Sequence, residues 1–348
     1  MVRSRLLKRI LYISIISLLI GIAPHSAKAE ANAEINPSNV FESNVVHIEN
    51  LLDRLAGTSV FNDRPARNTF LSGNVLSRFF KFPLNLSETQ SEQPRESRIP
   101  ILMYHHLAEG EKSSSVIDPQ RFEAHMEALQ REGYQTITED ELLHYFQDDA
   151  PLPEASLLIT FDDGYLSNYT MAYPILKKRG MKATIYPIVS RISEDDPYSF
   201  AGEIPKITWP QMREMQDSGL ITFQSHTYDS HFKSQSLDGE QRGMVSGRML
   251  IGNKLETQTE YEQRVLQDVE KSKKILEDKL GEEVVAFTYP YGSYSADTIR
   301  LLKEAGYQMA LNSKYGINTD QNHSLFELKR ITAKGSFTAD ELLKKIKN

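Results

Sequence analysis

Short apolar runs and longer amphipathic stretches take turns along most of the chain. The runs ILMY (101–104), LLITF (157–161), ITF (221–223) and VVAF (284–287) have strand length. Helix-like sequence and strand-like sequence are separated by a glycine at ALQREGYQTI, LKKRGMKATIYPIV, MQDSGLITFQ, EDKLGEEVVAFTY and LKEAGYQMALN, and glycine is the residue expected just past a helix end. Start signals agree with these stops. Asp118-Pro119 opens a helix with Phe122, Met126 and Leu129 on one face, while Thr138-x-x-Glu141 and Thr338-x-x-Glu341 fit capping boxes. Strands alternating with helices imply parallel β/α units. Some six to eight strands in one unbroken series favour closure, so the pattern predicts an α/β fold, a distorted (β/α) barrel of about seven strands.

The first hundred residues follow other rules. Four basic residues precede an apolar run from Ile10 to Ala23, and Ala27-Lys28-Ala29 follows it, the layout of a secretory signal with a small-x-small cleavage site. That run is shorter than the roughly 20 residues of a spanning helix, so residues 1–29 are expected to be a signal peptide and the protein secreted or extracellular. An uncleaved signal would instead associate it with the membrane or cell wall. Residues 30–97 combine a modest amphipathic stretch, NVVHIENLLDRLAG, with Pro65, Pro83 and the polar NLSETQSEQPRESR, which reads as an N-terminal extension ending in a flexible linker. The main domain is placed at 98–348.

Charge narrows the partners. Loss of residues 1–29 removes Arg3, Arg5, Lys8, Arg9 and Lys28 but no acid, moving the formal net charge from −7 to −12. Nucleic acid and anionic lipid need clustered Lys and Arg, so neither is expected as a partner, whereas a neutral or cationic polymer is. No GxGxxG or GxxxxGK[ST] motif follows a strand, which leaves a nucleotide site without support. With no cysteine in the chain, no disulfide braces the fold and the apolar core must stabilise it.

The candidate chemistry sits where apolar runs end. In a (β/α) barrel the carboxyl ends of separate strands converge on one mouth. ILMYHH (101–106), LLITFDDG (157–164), ITFQSHTYDSH (221–231) and VVAFTYPYG (284–292) would meet there. Asp162 and Asp163 end a strand side by side; Asp-Gly is also an ordinary turn signal, but strand alternation would turn one of the two carboxylates into the core. His226 and His231 follow another strand, five residues apart, and can share a metal from a loop though not from a helix. Two imidazoles and a carboxylate are a common ligand set for a catalytic divalent ion. Of His105 and His106, at most one can point into the mouth. His125 and His144 fall within helices, His47 in the extension and His323 in the polar loop DQNHSL, and all four read as structural or surface residues.

TFDDG (160–164), SHTYDSH (225–231) and YPYG (289–292), in that order after MYHH, resemble the polysaccharide deacetylase family, also called the NodB-homology or carbohydrate esterase 4 family. The resemblance spans roughly residues 98–330. The i, i+5 histidine spacing and the upstream Tyr-His resemble the branch that de-N-acetylates poly-β-1,6-N-acetylglucosamine in biofilms. Carried over residue by residue, it implies that Asp163, His226 and His231 bind a divalent metal ion, zinc foremost, with cobalt or nickel also compatible. It implies Asp162 as general base, the backbone N–H of Tyr291 as an oxyanion donor and His105 as the acid for the leaving amine. Two departures stand out: Thr288 occupies the place of an arginine that holds the catalytic aspartate in many members, and the late Leu-x-His motif is missing. Arg330 in ELKRIT is the candidate to replace that arginine.

The implied function is a secreted metal-dependent amidohydrolase acting on an N-acetylglucosamine-containing polysaccharide, with peptidoglycan and chitooligosaccharides as rival substrates. A non-catalytic glycan-binding protein on the same fold would keep the groove without the chemistry. A metal phosphoesterase would be expected to place basic residues around the metal to hold phosphate oxygens, and TFDDGY and SHTYDSH contain no Lys or Arg.

Overall fold

The computed structural model describes residues 97–348 apart from 111–112, 199–201, 236–238, 253 and 321–323. The expected signal peptide, the extension, His47 and His323 lie outside the described residues. Seven parallel strands carry the fold: β1 (Ile101–Tyr104), β2 (Ser156–Asp163), β3 (Ala183–Pro187), β4 (Ile221–Phe223), β5 (Ala286–Thr288), β6 (Met309–Leu311) and β7 (Ile331–Thr332). Continuous pairing runs β7-β1-β2-β3-β4, with a second pair β5-β6. Single parallel bridges, Ser225 to Phe287 and Leu311 to Leu328, join the two groups at either side. The seven strands therefore form a ring that is thinly stitched at two joints, which is the sense in which the barrel is distorted.

Among the described residues seven α-helices pack around the strands: α1 (Pro119–Arg131), α2 (Glu139–Asp148), α3 (Tyr173–Arg179), α4 (Trp209–Asp217), α5 (Gln258–Leu280), α6 (Ala296–Glu304) and α7 (Ala339–Lys347). Their ends form for the reasons read in the sequence. The Asp118 side chain accepts from Gln120 N ahead of Pro119, and Thr138 and Thr338 make complete capping boxes with Glu141 and Glu341. Gly180 and Gly281 close α3 and α5 in the left-handed conformation. No described helix is long and apolar enough to cross a membrane.

Because both faces of each strand are covered, the strands are apolar almost throughout. Alternate residues go to different clusters. Leu102, Tyr104, Ile159, Phe161, Ile185 and Phe223 pack on the helices, while Ile101, Leu158, Tyr186, Ala286, Met309 and Leu311 pack on one another, with Leu142 and Leu143 of α2 against them. On β2 the period of two then runs Leu158, Thr160, Asp162. The last inward residue of the longest strand is thus a carboxylate, and it stands at the mouth of the ring.

Candidate metal centre and its acid–base pair

Asp162 points inward by alternation, and Asp163 would point outward if β2 stayed extended. It does not: Asp163 has φ 72° and Gly164 φ 65°. A left-handed aspartate is tolerated and a left-handed glycine is unstrained. Gly164 is needed for a second reason, since a Cβ there would lie 2.9 Å from the Pro187 Cβ. The turn swings Asp163 toward the loop after β4, so two adjacent carboxylates serve one site from one strand end.

Asp163 Oδ1 lies 3.4 Å from His226 Nε2 and 3.3 Å from His231 Nε2. That oxygen is buried and makes no hydrogen bond. Among the described residues, these three are the group of His, Cys, Asp or Glu whose donor atoms converge, all within 4.8 Å of one another. A buried acceptor facing two imidazole nitrogens is poorly satisfied by the protein alone, and the set fits a divalent cation with a taste for nitrogen and oxygen. Thr288 completes the arrangement. Its carbonyl accepts from His226 Nδ1 at 2.9 Å, which fixes the tautomer and turns Nε2 toward Asp163. Burial, reinforced by the charge of His226, pulls His231 down to about 4, so its ring is neutral and able to ligate near neutral pH. Burial works against ionisation of Asp163, yet the facing His226, His231 and His105 carry it well below the ordinary carboxylate range.

Asp162 is held from behind. Arg330 grips it with both arms, Nη1 to Oδ1 at 2.8 Å and Nη2 to Oδ2 at 2.7 Å, while its Nε donates to the Asn312 carbonyl at 2.9 Å. Both residues are buried, Arg330 at 1% exposure. Burial pushes the Asp162 carboxyl up, but Arg330, helped by His226 and His105, leaves it below the ordinary value. Removing one member of such a pair strands the other in the interior. Arg330→Met should therefore lower folding stability by on the order of 3–5 kcal/mol, read as a drop in urea midpoint, and unchanged stability would show that the pair is not formed in solution.

His105 Nε2 lies 4.0 Å from Asp162 Oδ2, and Asn168 fixes its backbone by donating to the His105 carbonyl at 2.7 Å. Burial lowers the His105 pKa against the opposing pull of Asp162 and Asp163. His106 turns the other way, with Nδ1 2.8 Å from Ser167 Oγ and its ring against Tyr165. Tyr291 has φ 57° and ψ 13° in the Pro290–Gly292 turn, its ring 4.7 Å from that of His231 and its hydroxyl donating to the His231 carbonyl at 3.1 Å. Its left-handed backbone keeps the turn against the histidine loop. His125, buried, bridges the Tyr104 hydroxyl and the Phe337 carbonyl; His144 is exposed beside Asp140 and Asp148. Neither approaches the mouth. Sequence reasoning missed Thr288 as the carbonyl behind His226, Asn168 as the support of His105, and Lys206, which lines a hollow beside Asp163 with Tyr165 and His231.

A strand-end aspartate pair, a histidine pair and a buried arginine meet at the mouth of the seven-strand ring, an arrangement suited to metal-assisted hydrolysis. The polysaccharide deacetylase model matches residues 149–310, and the chain belongs to that family of hydrolases. A polysaccharide deacetylase homologue of Bacillus subtilis (strain 168), YxkH, is 33% identical over 242 residues, covering 70% of this chain and 73% of that protein. The poly-β-1,6-N-acetyl-D-glucosamine N-deacetylase of Escherichia coli (strain K12) is 31% identical over 207 residues, covering 57% of this chain but only 31% of the enzyme. Among solved structures, a de-N-acetylase from Aggregatibacter actinomycetemcomitans superposes with a TM-score of 0.64 at 25% identity, over 71% of this chain and 99% of that one.

Proposed function

We propose that the chain is a metal-dependent de-N-acetylase that removes acetyl groups from N-acetylglucosamine residues of an extracellular polysaccharide, with poly-β-1,6-N-acetylglucosamine as the favoured polymer. The observation that carries this reading is the buried, unbonded Asp163 Oδ1 facing two imidazole nitrogens, beside an Arg330-braced carboxylate and a histidine. The polymer is supported by the named activity of the Escherichia coli relative and by the five-residue histidine spacing. The basic and apolar N-terminal stretch supports export.

A divalent ion held by Asp163, His226 and His231, zinc foremost, would supply Lewis acidity to the acetamide carbonyl and to the attacking water. Asp162 takes the proton of that water. Its carboxylate is held ionised by Arg330, and a carboxylate held that low also gives the proton up readily. The Tyr291 N–H donates to the developing oxyanion. Breaking the amide then requires a proton on nitrogen, because an amide anion is a very poor leaving group. His105, neutral at rest and 4.0 Å from Asp162, can pass the proton from Oδ2 through Nε2 to that nitrogen.

His105→Ala should accordingly cost about 10²- to 10⁴-fold in kcat on an N-acetylglucosamine oligomer, with metal retained. The aryloxide of an aryl acetate departs without a proton, so activity on that ester should fall far less. His106→Ala, whose ring is engaged by Ser167, should show no such split. Equal losses on ester and amide in His105→Ala would remove it as the acid.

The proposed function is tested by acetate release on poly-β-1,6-N-acetylglucosamine, chitin oligomers and peptidoglycan in parallel. Preference for the first is expected. Preference for either of the others would reassign the polymer, and binding without acetate release would make the chain a glycan-binding protein.

A further inference from the structure

We propose that Lys206 is a sugar-binding residue of the mouth, donating to a hydroxyl oxygen of a hexosamine ring seated in the hollow beside Asp163. The inference rests on the reading of that mouth as a site for N-acetylglucosamine polymers.

The hollow has a volume of ≈ 190 Å³ and is lined by Asp163, Tyr165, Glu203, Lys206, His231 and Phe232, among others. It is smaller than the ~300–1,000 Å³ of sites for drug-sized ligands, which suits one ring rather than a longer segment. Two cations face it. Arg191 is committed to Glu203 and Asp229, each at 3.6 Å. Lys206 is buried at 6% exposure, and its Nζ sits 3.6 Å over the Tyr165 ring. Its backbone N–H donates to the Pro197 carbonyl at 3.2 Å, and the contact of its Nζ among the described residues is the Tyr165 ring rather than an oxygen. An ammonium in so buried a residue gives up part of its hydration, and an oxygen brought by a ligand would replace it.

The backbone around Lys206 is fixed to the catalytic strand end. Lys206 bridges Tyr165, Leu166 N donates to the Pro205 carbonyl at 2.8 Å and Ile207 N to the Gly164 carbonyl at 3.0 Å. The ammonium is therefore positioned by the same turn that positions Asp163, and little ordering remains when a ligand arrives. The remaining lining selects the ligand's chemistry. Asp163, Glu203 and Asp229 disfavour an anion such as phosphate. Phe232, 46% exposed, offers an apolar face to the C–H side of a ring whose hydroxyls reach polar groups. Asp162 and His105 do not line the hollow, so the contact is made to a ring hydroxyl on the metal-ligand side, apart from the proton-transfer pair, and holds ground state and transition state alike.

The test is Lys206→Met, which keeps the side-chain stem over Tyr165. Calorimetric binding of a β-1,6-linked N-acetylglucosamine pentamer to the metal-free protein should weaken about 10- to 100-fold, the scale of a hydrogen bond to a charged group. KM should rise by a similar factor while kcat stays within about threefold. Zinc content and Tm should match wild type, and Lys206→Arg, which keeps charge, donors and the stacking, should bind within about threefold of it. Unchanged pentamer binding by Lys206→Met overturns the inference, as does a loss confined to kcat, which would place Lys206 at the reacting atoms. If wild-type protein binds the pentamer and releases no acetate, the proposed function fails while the binding comparison still decides the role of Lys206.

Discussion

Asp162→Asn should keep its metal and lose acetate release by about 10²- to 10⁴-fold, the scale of a general base. The amide has nearly the shape of the carboxylate and still offers Arg330 one acceptor, but it cannot take a proton from water. Asp163, His226 and His231 are untouched, so metal content measured by atomic emission should stay at the wild-type level. Folding stability should fall as well, because Arg330 is left buried with an unbalanced charge. An Asp162→Asn protein that released acetate at the wild-type rate would remove Asp162 from the chemistry, whatever its contact with Arg330.

His226→Ala should lose metal and activity together. Three protein ligands leave none to spare, and His226 is the most deeply buried of the two imidazoles, held by the Thr288 carbonyl at 2.9 Å. Its removal also leaves that carbonyl without a partner and Asp163 with one imidazole in place of two. Asp163→Ala and His231→Ala should behave the same way, with acetate release falling to background. Full metal occupancy in any of the three variants would mean that the residue is not a ligand.

Much of this site was legible at the strand ends. TFDDG, SHTYDSH and MYHH each close an apolar run, and a parallel ring brings such ends together however far apart they lie in the chain. Strand alternation allowed only one of His105 and His106 into the mouth and the family resemblance pointed to His105; the structure puts His105 at 4.0 Å from Asp162 with His106 on Ser167. Alternation gave no account of Asp163, because a single left-handed residue reorients it, and only Gly164 hinted at the turn. Arg330 stands 168 residues beyond Asp162; its pairing depends on β7 closing against β1, a long-range contact that local pattern does not encode. Thr288 looked in the sequence like a missing arginine. What it contributes is a carbonyl, which every residue type has, together with its own Oγ1 beside the same His226 Nδ1. Lys206 gave no signal either, since a lone lysine in a loop is ordinarily a solvated surface residue.

The most direct test of the central claim is acetate release from poly-β-1,6-N-acetylglucosamine by one wild-type preparation, first stripped with a chelator and then given one equivalent of zinc. The account predicts that release stops on stripping and returns with the single equivalent in wild type, while Asp162→Asn takes up the same equivalent and stays inactive. Undiminished acetate release by the stripped protein would contradict it.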